Sequence, residues 1–353
     1  MFENKETTNL SAFGEFGLIE HLTKNIKIRR SSTLKGVGDD AAVLDLTKGK
    51  TVVSTDLLCE GVHFDMTFTP LKHLGYKSIV VNLSDIYAMN ATPSQVTVSM
   101  AISSRFTVEA VEEIYQGMLL ACDQYNVDLV GGDTTSSMAG LMISVTAIGI
   151  ANEKDIAYRN GAEENDIICV SGDLGAAYMG LQVLEREKAV FKENPQAQPD
   201  LSGNDYILER QLKPEARKDV IDMLAELKIK PSAMIDVSDG LASDLIHICK
   251  QSDVGCQIYE ERIPLDHNTV DAAEKFNLNP TTAALNGGED YELLFTIKPE
   301  DYEKIKGHVE LHPIGHIADK GAGYRMVAKG DAVVELTAQG WNAFGNEQPK
   351  EEE

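Results

Sequence analysis

The sequence predicts two mixed α/β domains. Apolar residues recur in the two-residue alternation of strands and in the three-to-four-residue spacing of helices, and the two patterns take turns through both halves of the chain. A polar stretch, Asn152–Asn165, carrying Gly161, interrupts them near the middle and marks a junction. The 353 residues, 43% of them hydrophobic, suffice for two buried cores. The reading is a domain over 1–150, a second over 151–346, and a charged tail, 347–353, that is expected to be disordered.

Each element has its own warrant. Phe16, Ile19, Leu22 and Ile26 fall about one turn apart and predict an opening helix. Ala41–Leu46 and Thr51–Thr55 read as strands. A long helix is expected from about Leu71 to Met89, with Leu74, Val81 and Ile86 among its apolar positions. In Gln95–Ile102, Val96, Val98, Met100 and Ile102 share one face of a strand. A helix over Val108–Tyr125, a short strand over Asp128–Val130, a Gly-Gly turn and a strand over Leu141–Ile150 complete the first half. The second half restarts with a strand over Ile167–Ser171 and a helix from Leu174 to about Glu187. Lys188–Asn204, with Pro195, Pro199 and Gly203, reads as a surface insertion or loop. Pro214 fits the first turn of a helix running to about Leu227. Strands and helices then alternate to Glu335.

Composition excludes several classes of function. The net charge of −24, from 32 basic and 56 acidic residues, repels nucleic-acid phosphates and anionic lipid. No run of 18 apolar residues is present, so no membrane span is expected. Met1–Leu10 is polar and mixed in charge, unlike a secretory signal. Five cysteines, Cys59, Cys122, Cys169, Cys249 and Cys256, form no C-x-x-C pair, and a reducing cytoplasm is the simplest compartment.

Acidic residues cluster where solubility alone does not explain them. Five segments place small or glycine residues before aspartate after an apolar run: Gly36-Val37-Gly38-Asp39-Asp40, Ser54-Thr55-Asp56, Asn82-Leu83-Ser84-Asp85, Gly131-Gly132-Asp133-Thr134 and Asp236-Val237-Ser238-Asp239-Gly240. A sixth, Gly287-Gly288-Glu289-Asp290, puts glutamate first. Singly, such aspartates are turn or cap residues. Asp85, inside an apolar helical run, is harder to assign that way, because an unpaired buried carboxylate is costly and no Lys or Arg occurs from Ser78 through Ser104. A metal ion is the better partner. The donors are all oxygen, which suits Mg²⁺, while the eight histidines lack zinc-site spacing. Mg²⁺ held by carboxylates usually also holds substrate phosphates, and Gly131-Gly132 would let backbone N–H groups approach a phosphate chain. No P-loop pattern is present. Gly36–Ala41 loosely fits a dinucleotide fingerprint, but polar residues precede it and a strand-like run follows, the reverse of what that motif needs.

Taken in order, these segments resemble the thiamine-monophosphate kinase family, which groups with aminoimidazole ribonucleotide synthetase and selenophosphate synthetase. The resemblance runs from Gly14-Glu15-Phe16 to Trp341 and includes Gly61-Val62-His63-Phe64, Arg159-Asn160-Gly161-Ala162 and Gly287–Leu293. It implies a cleft between the domains for ATP and metals, and a homodimer paired through the N-terminal domain. It also implies that Asp40, Ser54, Thr55, Asp56, Asp85, Asp133, Asp236 and Asp239 are metal ligands. Tyr115, Gly132, Asp133, Arg159 and Ser238 would contact ATP, and His63, Glu289 and Trp341 the substrate, thiamine monophosphate.

The family's acceptor is a phosphate monoester, largely dianionic at neutral pH because its second pKa is about 6. It needs no general base, and a site rich in aspartate and poor in bases fits that requirement. Two readings compete. One is another enzyme on the same scaffold, although selenophosphate synthetases rely on a reactive Cys near the N-terminus and the first cysteine here is Cys59. The other is a nucleotide or thiamine-phosphate sensor without turnover. Arg159, His63, Glu289 and Trp341 each also have a plain structural reading, as a surface, strand-end, capping and core residue respectively.

Overall fold

The computed structural model describes Thr8 and residues 12–37, 42–47 and 49–340. Among them, the first half builds a four-stranded sheet in the spatial order Lys50–Cys59, Met142–Ala151, Thr92–Ser103, Asp128–Ser137. The first three strands pair antiparallel and the last is parallel to its neighbour. Period-two alternation sends Val96, Val98, Met100 and Ile102 into the core, where the Leu71–Ala88 and Val108–Tyr125 helices cover them. The opening helix spans Gly14–Thr23.

The second half builds a seven-stranded sheet in the order Val333–Glu335, Tyr324–Val327, Gly255–Tyr259, Leu311–Ala318, Ile167–Ser171, Leu293–Ile297, Ala233–Asp236. It is antiparallel except between Gly255–Tyr259 and Tyr324–Val327. Its last strand ends at Asp236, so the sheet edge delivers that carboxylate to the junction of the two halves.

The Leu71–Ala88 helix is buried almost all round because it packs on the first sheet and also faces the second half. Two tyrosines bind across this boundary. Tyr76 and Tyr125 hydroxyls each donate to Glu215 at 2.6 Å.

Three expectations are corrected. Gly131-Gly132 is no turn. The strand runs on through it to Ser137 because the parallel neighbour continues to pair. A Cβ at Gly132 would stand 1.8 Å from the Val98 carbonyl oxygen, so the glycine is needed for close strand approach. Lys188–Glu193 is not loop. The Ala176–Glu193 helix extends through it, and Lys188 is tied to Asp65 of the first half at 2.7 Å. Pro214 starts no helix, since the next one is Lys218–Glu226.

Candidate active site

A cavity of about 700 Å³ opens between the halves. Asp56, Asp85 and His63 enter its wall from the first half; Asp236, Ser238, Asp239 and Glu289 enter from the second.

Each polar residue of Asn82-Leu83-Ser84-Asp85 has a different task. Asn82 accepts from the Asp56 N–H at 3.0 Å and so clamps the Lys50–Cys59 strand. Ser84 donates to Asp236 at 2.7 Å. Asp85 accepts from the Ser54 hydroxyl. Leu83 is fully buried. One helical turn thus ties a strand of its own half and a strand of the other half to the cavity.

The electrostatics are those of crowded, partly desolvated carboxylates. Burial pushes Asp236, which is 3% exposed, well above the usual carboxylate range, and the charge of Asp85 pushes it further. Asp85 is itself raised by burial, against the pull of Ser54 and Arg159. Asp56 is pushed up to about 6, first by burial and then by Asp85. Asp239 is raised by burial, with His247 and Arg159 opposing. Beneath them Asp244, 2% exposed, accepts from the Ser238 and Asp239 N–H groups at 3.1 and 3.2 Å. Its carboxyl is pushed up to about 8 by burial and by Asp236 and Asp239. Arg159 is exposed at the junction and lines a second cavity with Ser54, Asn160 and Asp85. Asp85 therefore stands in the wall of both cavities.

The Asp236–Gly240 and Gly287–Tyr291 loops run side by side. Glu289 N–H donates to the Ser238 carbonyl at 2.9 Å and Tyr291 N–H to the Val237 carbonyl at 2.9 Å. Gly288 permits this, because a Cβ there would lie 2.3 Å from the Ser238 oxygen. His63 Nδ1 accepts from the Cys59 N–H at 3.0 Å. That nitrogen is therefore unprotonated, and a neutral ring carries its proton on Nε2. Burial lowers the His63 pKa and Lys77 adds to this, against Glu289.

The chain matches two family descriptions in succession: AIR synthase related protein, N-terminal domain, over residues 38–151, and AIR synthase related protein, C-terminal domain, over 163–328. It is 34% identical over 336 residues to the thiamine-monophosphate kinase of Bacillus subtilis, covering 94% of this chain and 99% of that one. The crystal structure of thiamine-monophosphate kinase from Stenotrophomonas maltophilia superposes with a TM-score of 0.75 at 31% identity, covering 92% and 98% of the two chains. AaThiL complexed with AMPPCP and TMP superposes with a TM-score of 0.73 at 32% identity, covering 96% and 99%. The chain belongs to the thiamine-monophosphate kinase family.

Of the residues that membership in the thiamine-monophosphate kinase family brings forward, the structure gathers Ser54, Asp56, Asp85, Asp236 and Asp239 with Ser238, Arg159, His63 and Glu289 around the two adjoining cavities. Others it does not gather. The Thr55 side chain lies on the opposite strand face from Ser54 and Asp56, and its hydroxyl donates to the Val145 carbonyl at 3.0 Å. Asp133, in register with Ser99, also projects from that outer face and is exposed, while the preceding Gly132 abuts Val98. Tyr115 is 8% exposed, packs in the first core and lines neither cavity. Asp40, Trp341 and the tail 347–353 lie outside the described residues, although Gly340 lines the cavity.

Among the described residues no three His, Cys, Asp or Glu side chains close around one point as a ready-made metal cage. The donor set still fits a hard cation. Asp236 and Asp85 are desolvated, electrostatically opposed and all-oxygen, and Mg²⁺ takes few protein carboxylates, with water and phosphate oxygens filling the remaining positions.

Sequence reasoning missed Lys77, Gln211 and Asp244. Lys77 stands one residue before the stretch free of cations, and its partner is Glu289, not Asp85. The cation whose charge reaches Asp85, Asp236 and Asp239 is the distant Arg159. Asp244 carried no signal, since it sits on an ordinary amphipathic helix, Leu241–Ser252.

Proposed function

We infer that this protein transfers the γ-phosphoryl group of ATP to the phosphate of thiamine monophosphate, giving thiamine diphosphate and ADP in thiamine diphosphate biosynthesis. The full-length likeness to thiamine-monophosphate kinases carries the reading, and a cavity walled by carboxylates from both halves supports it.

The acceptor phosphate is already a nucleophile, so the chain has to bring two anions together rather than remove a proton. Two unit charges at 4 Å repel by roughly 4 kcal/mol at an effective dielectric of about 20. Bound Mg²⁺ would neutralise phosphate charge and hold the reacting groups in line. Asp56, Asp85, Asp236 and Asp239, with the Ser54 hydroxyl, are the residues that would hold it. Ser84 and Asp244 orient the second-half pair, and Asn82 holds the strand that carries Asp56. Arg159, beside Asp85 in the second cavity, supplies fixed positive charge for phosphate oxygens. His63 offers its Nε2 proton as a donor, and Glu289 an anion for the cationic thiazolium ring.

The outer face of the four-stranded sheet exposes Val53 at 61% and Leu57 at 53%, which supports a homodimer paired there. A cytoplasmic location is supported by five unpaired cysteines. Among the described residues no helix is long and apolar enough to cross a membrane.

An acceptor panel tests the function. ADP release from ATP and Mg²⁺ is expected with thiamine monophosphate and not with thiamine or a simple alkyl phosphate. Equal release with all three, or none with any, would remove the assignment.

A further inference from the structure

Lys77 and Gln211 line the same cavity as Glu289, lie outside the acidic motifs and take no part in the proposed reaction as described so far. Lys77 lies inside the Leu71–Ala88 helix at 3% exposure. An ammonium group at that depth is tolerated when its charge and its N–H donors are met. Here Glu289 Oε1 at 3.0 Å meets the charge and the Gln211 carbonyl at 3.0 Å accepts a further N–H. Gln211, also buried, turns its Nε2 to the second Glu289 oxygen at 2.7 Å. Both carboxylate oxygens are thus held, each by a different residue, while Glu289 lines the cavity that His63 also lines.

The backbone at this point is strained. Glu289 has φ +68° and Tyr291 φ +53°, a region that non-glycine residues rarely adopt. Such strain persists where the surroundings over-determine it, and it collects at sites that must be held in one geometry. A glutamate with several open rotamers would be ordered at the expense of ligand affinity; one held beforehand is not.

We propose that Lys77 and Gln211 are positioning residues for the acceptor. They fix the Glu289 carboxylate, and with it the end of the cavity shared with His63, in the orientation that receives thiamine monophosphate. The proposal rests on the acceptor assigned under the proposed function. The same bonds also tie the two halves together, since Lys77 belongs to the first and Gln211 and Glu289 to the second. A mere tie would weaken ATP and acceptor use alike, whereas positioning acts on the acceptor alone.

The test is steady-state kinetics of the full chain with ATP and thiamine monophosphate varied independently. Lys77→Met is expected to raise KM for thiamine monophosphate about tenfold or more while KM for ATP stays within about twofold. Lys77→Arg restores part of the loss. The double variant K77M/E289Q is expected to be no worse than Glu289→Gln alone, because Lys77 acts through Glu289. If Lys77→Met does not fold, Gln211→Met carries the test, with a rise of about threefold or more confined to the acceptor. Equal changes in both KM values, or losses that multiply in the double variant, overturn the positioning role while leaving the reaction intact. A wild-type protein that makes ADP but no thiamine diphosphate overturns the acceptor assignment instead, and the positioning role with it.

Discussion

Ser84 reaches across the chain's two halves: its hydroxyl donates to Asp236 at 2.7 Å, one residue before Asp85 enters the cavity wall. Helical geometry separates neighbouring residues by about 100°, so adjacent positions of one helix serve different partners. Ser84 secures the second half, while Asp85 joins Ser54 in the first. The two carboxylates are brought near each other by a helix that carries one and holds the other.

Asp236→Asn should separate stability from activity. Asn keeps an oxygen to accept from Ser84, and it removes a buried charge that Asp85 opposes. Turnover is expected to fall by about a hundredfold or more, while the metal-free melting temperature holds or rises. Thermal melts beside kinetics check this. A variant that loses stability along with activity would mean that Asp236 is structural.

Metal-free stability should decline with rising pH. Asp56 and Asp244 keep their protons in the folded protein up to about 6 and about 8, but release them near 3.8 when unfolded. The folded form binds more protons in that interval, so the stability these groups contribute is present in acid and is lost as pH rises through the folded pKa values. Mg²⁺ competes with the proton on Asp56, and its stabilising effect should be larger at about pH 8 than at about pH 6. Melting curves with and without Mg²⁺ at the two pH values test this. A larger Mg²⁺ effect in acid would contradict it.

Adjacent hydroxyls should behave differently. Ser54→Ala removes the donor to Asp85 and is expected to lower turnover about tenfold. Thr55→Val alters only the outer sheet face and should keep turnover within about threefold. Equal losses in the two variants would show that the Thr55 hydroxyl serves the site.

Lys188 and Asp65 close one end of the cavity with an ion pair at 2.7 Å between the halves. Asp65 is lowered to about 2, where hydrogen bonds from Lys188 and Thr67 outweigh a burial effect in the other direction. The pair is partly exposed, so Lys188→Met should destabilise by no more than about 1 kcal/mol. It should nonetheless raise KM for thiamine monophosphate about threefold, because the wall it leaves is looser. An unchanged KM would show that the pair only decorates the rim.

Much of this was legible in the chain. The Val108–Tyr125 helix and the Ile167–Ser171 strand lie where their periodicity puts them, and Leu71–Ala88 ends one residue before the expected boundary. Asp85 stood out because a charge inside an apolar helix requires a partner. Gly131-Gly132 misled because paired glycines usually mark turns, whereas here glycine answers to a neighbouring strand that local sequence does not reveal. Lys188–Glu193 runs into the polar stretch that holds Pro195 and Pro199, so it resembles the start of a loop; in the structure it is the last part of the Ala176–Glu193 helix, and Lys188 pairs with Asp65 of the first half. Lys77 and Glu289 lie far apart in sequence, and only packing shows that they meet.

The γ-phosphoryl group of ATP moves directly onto the phosphate of thiamine monophosphate in the proposed reaction. Phosphorus NMR of a reaction run with γ-labelled ATP decides whether it does. The label is predicted in the terminal phosphate of thiamine diphosphate, with one ADP formed per label transferred. Label released as inorganic phosphate, with thiamine monophosphate unchanged, would contradict it.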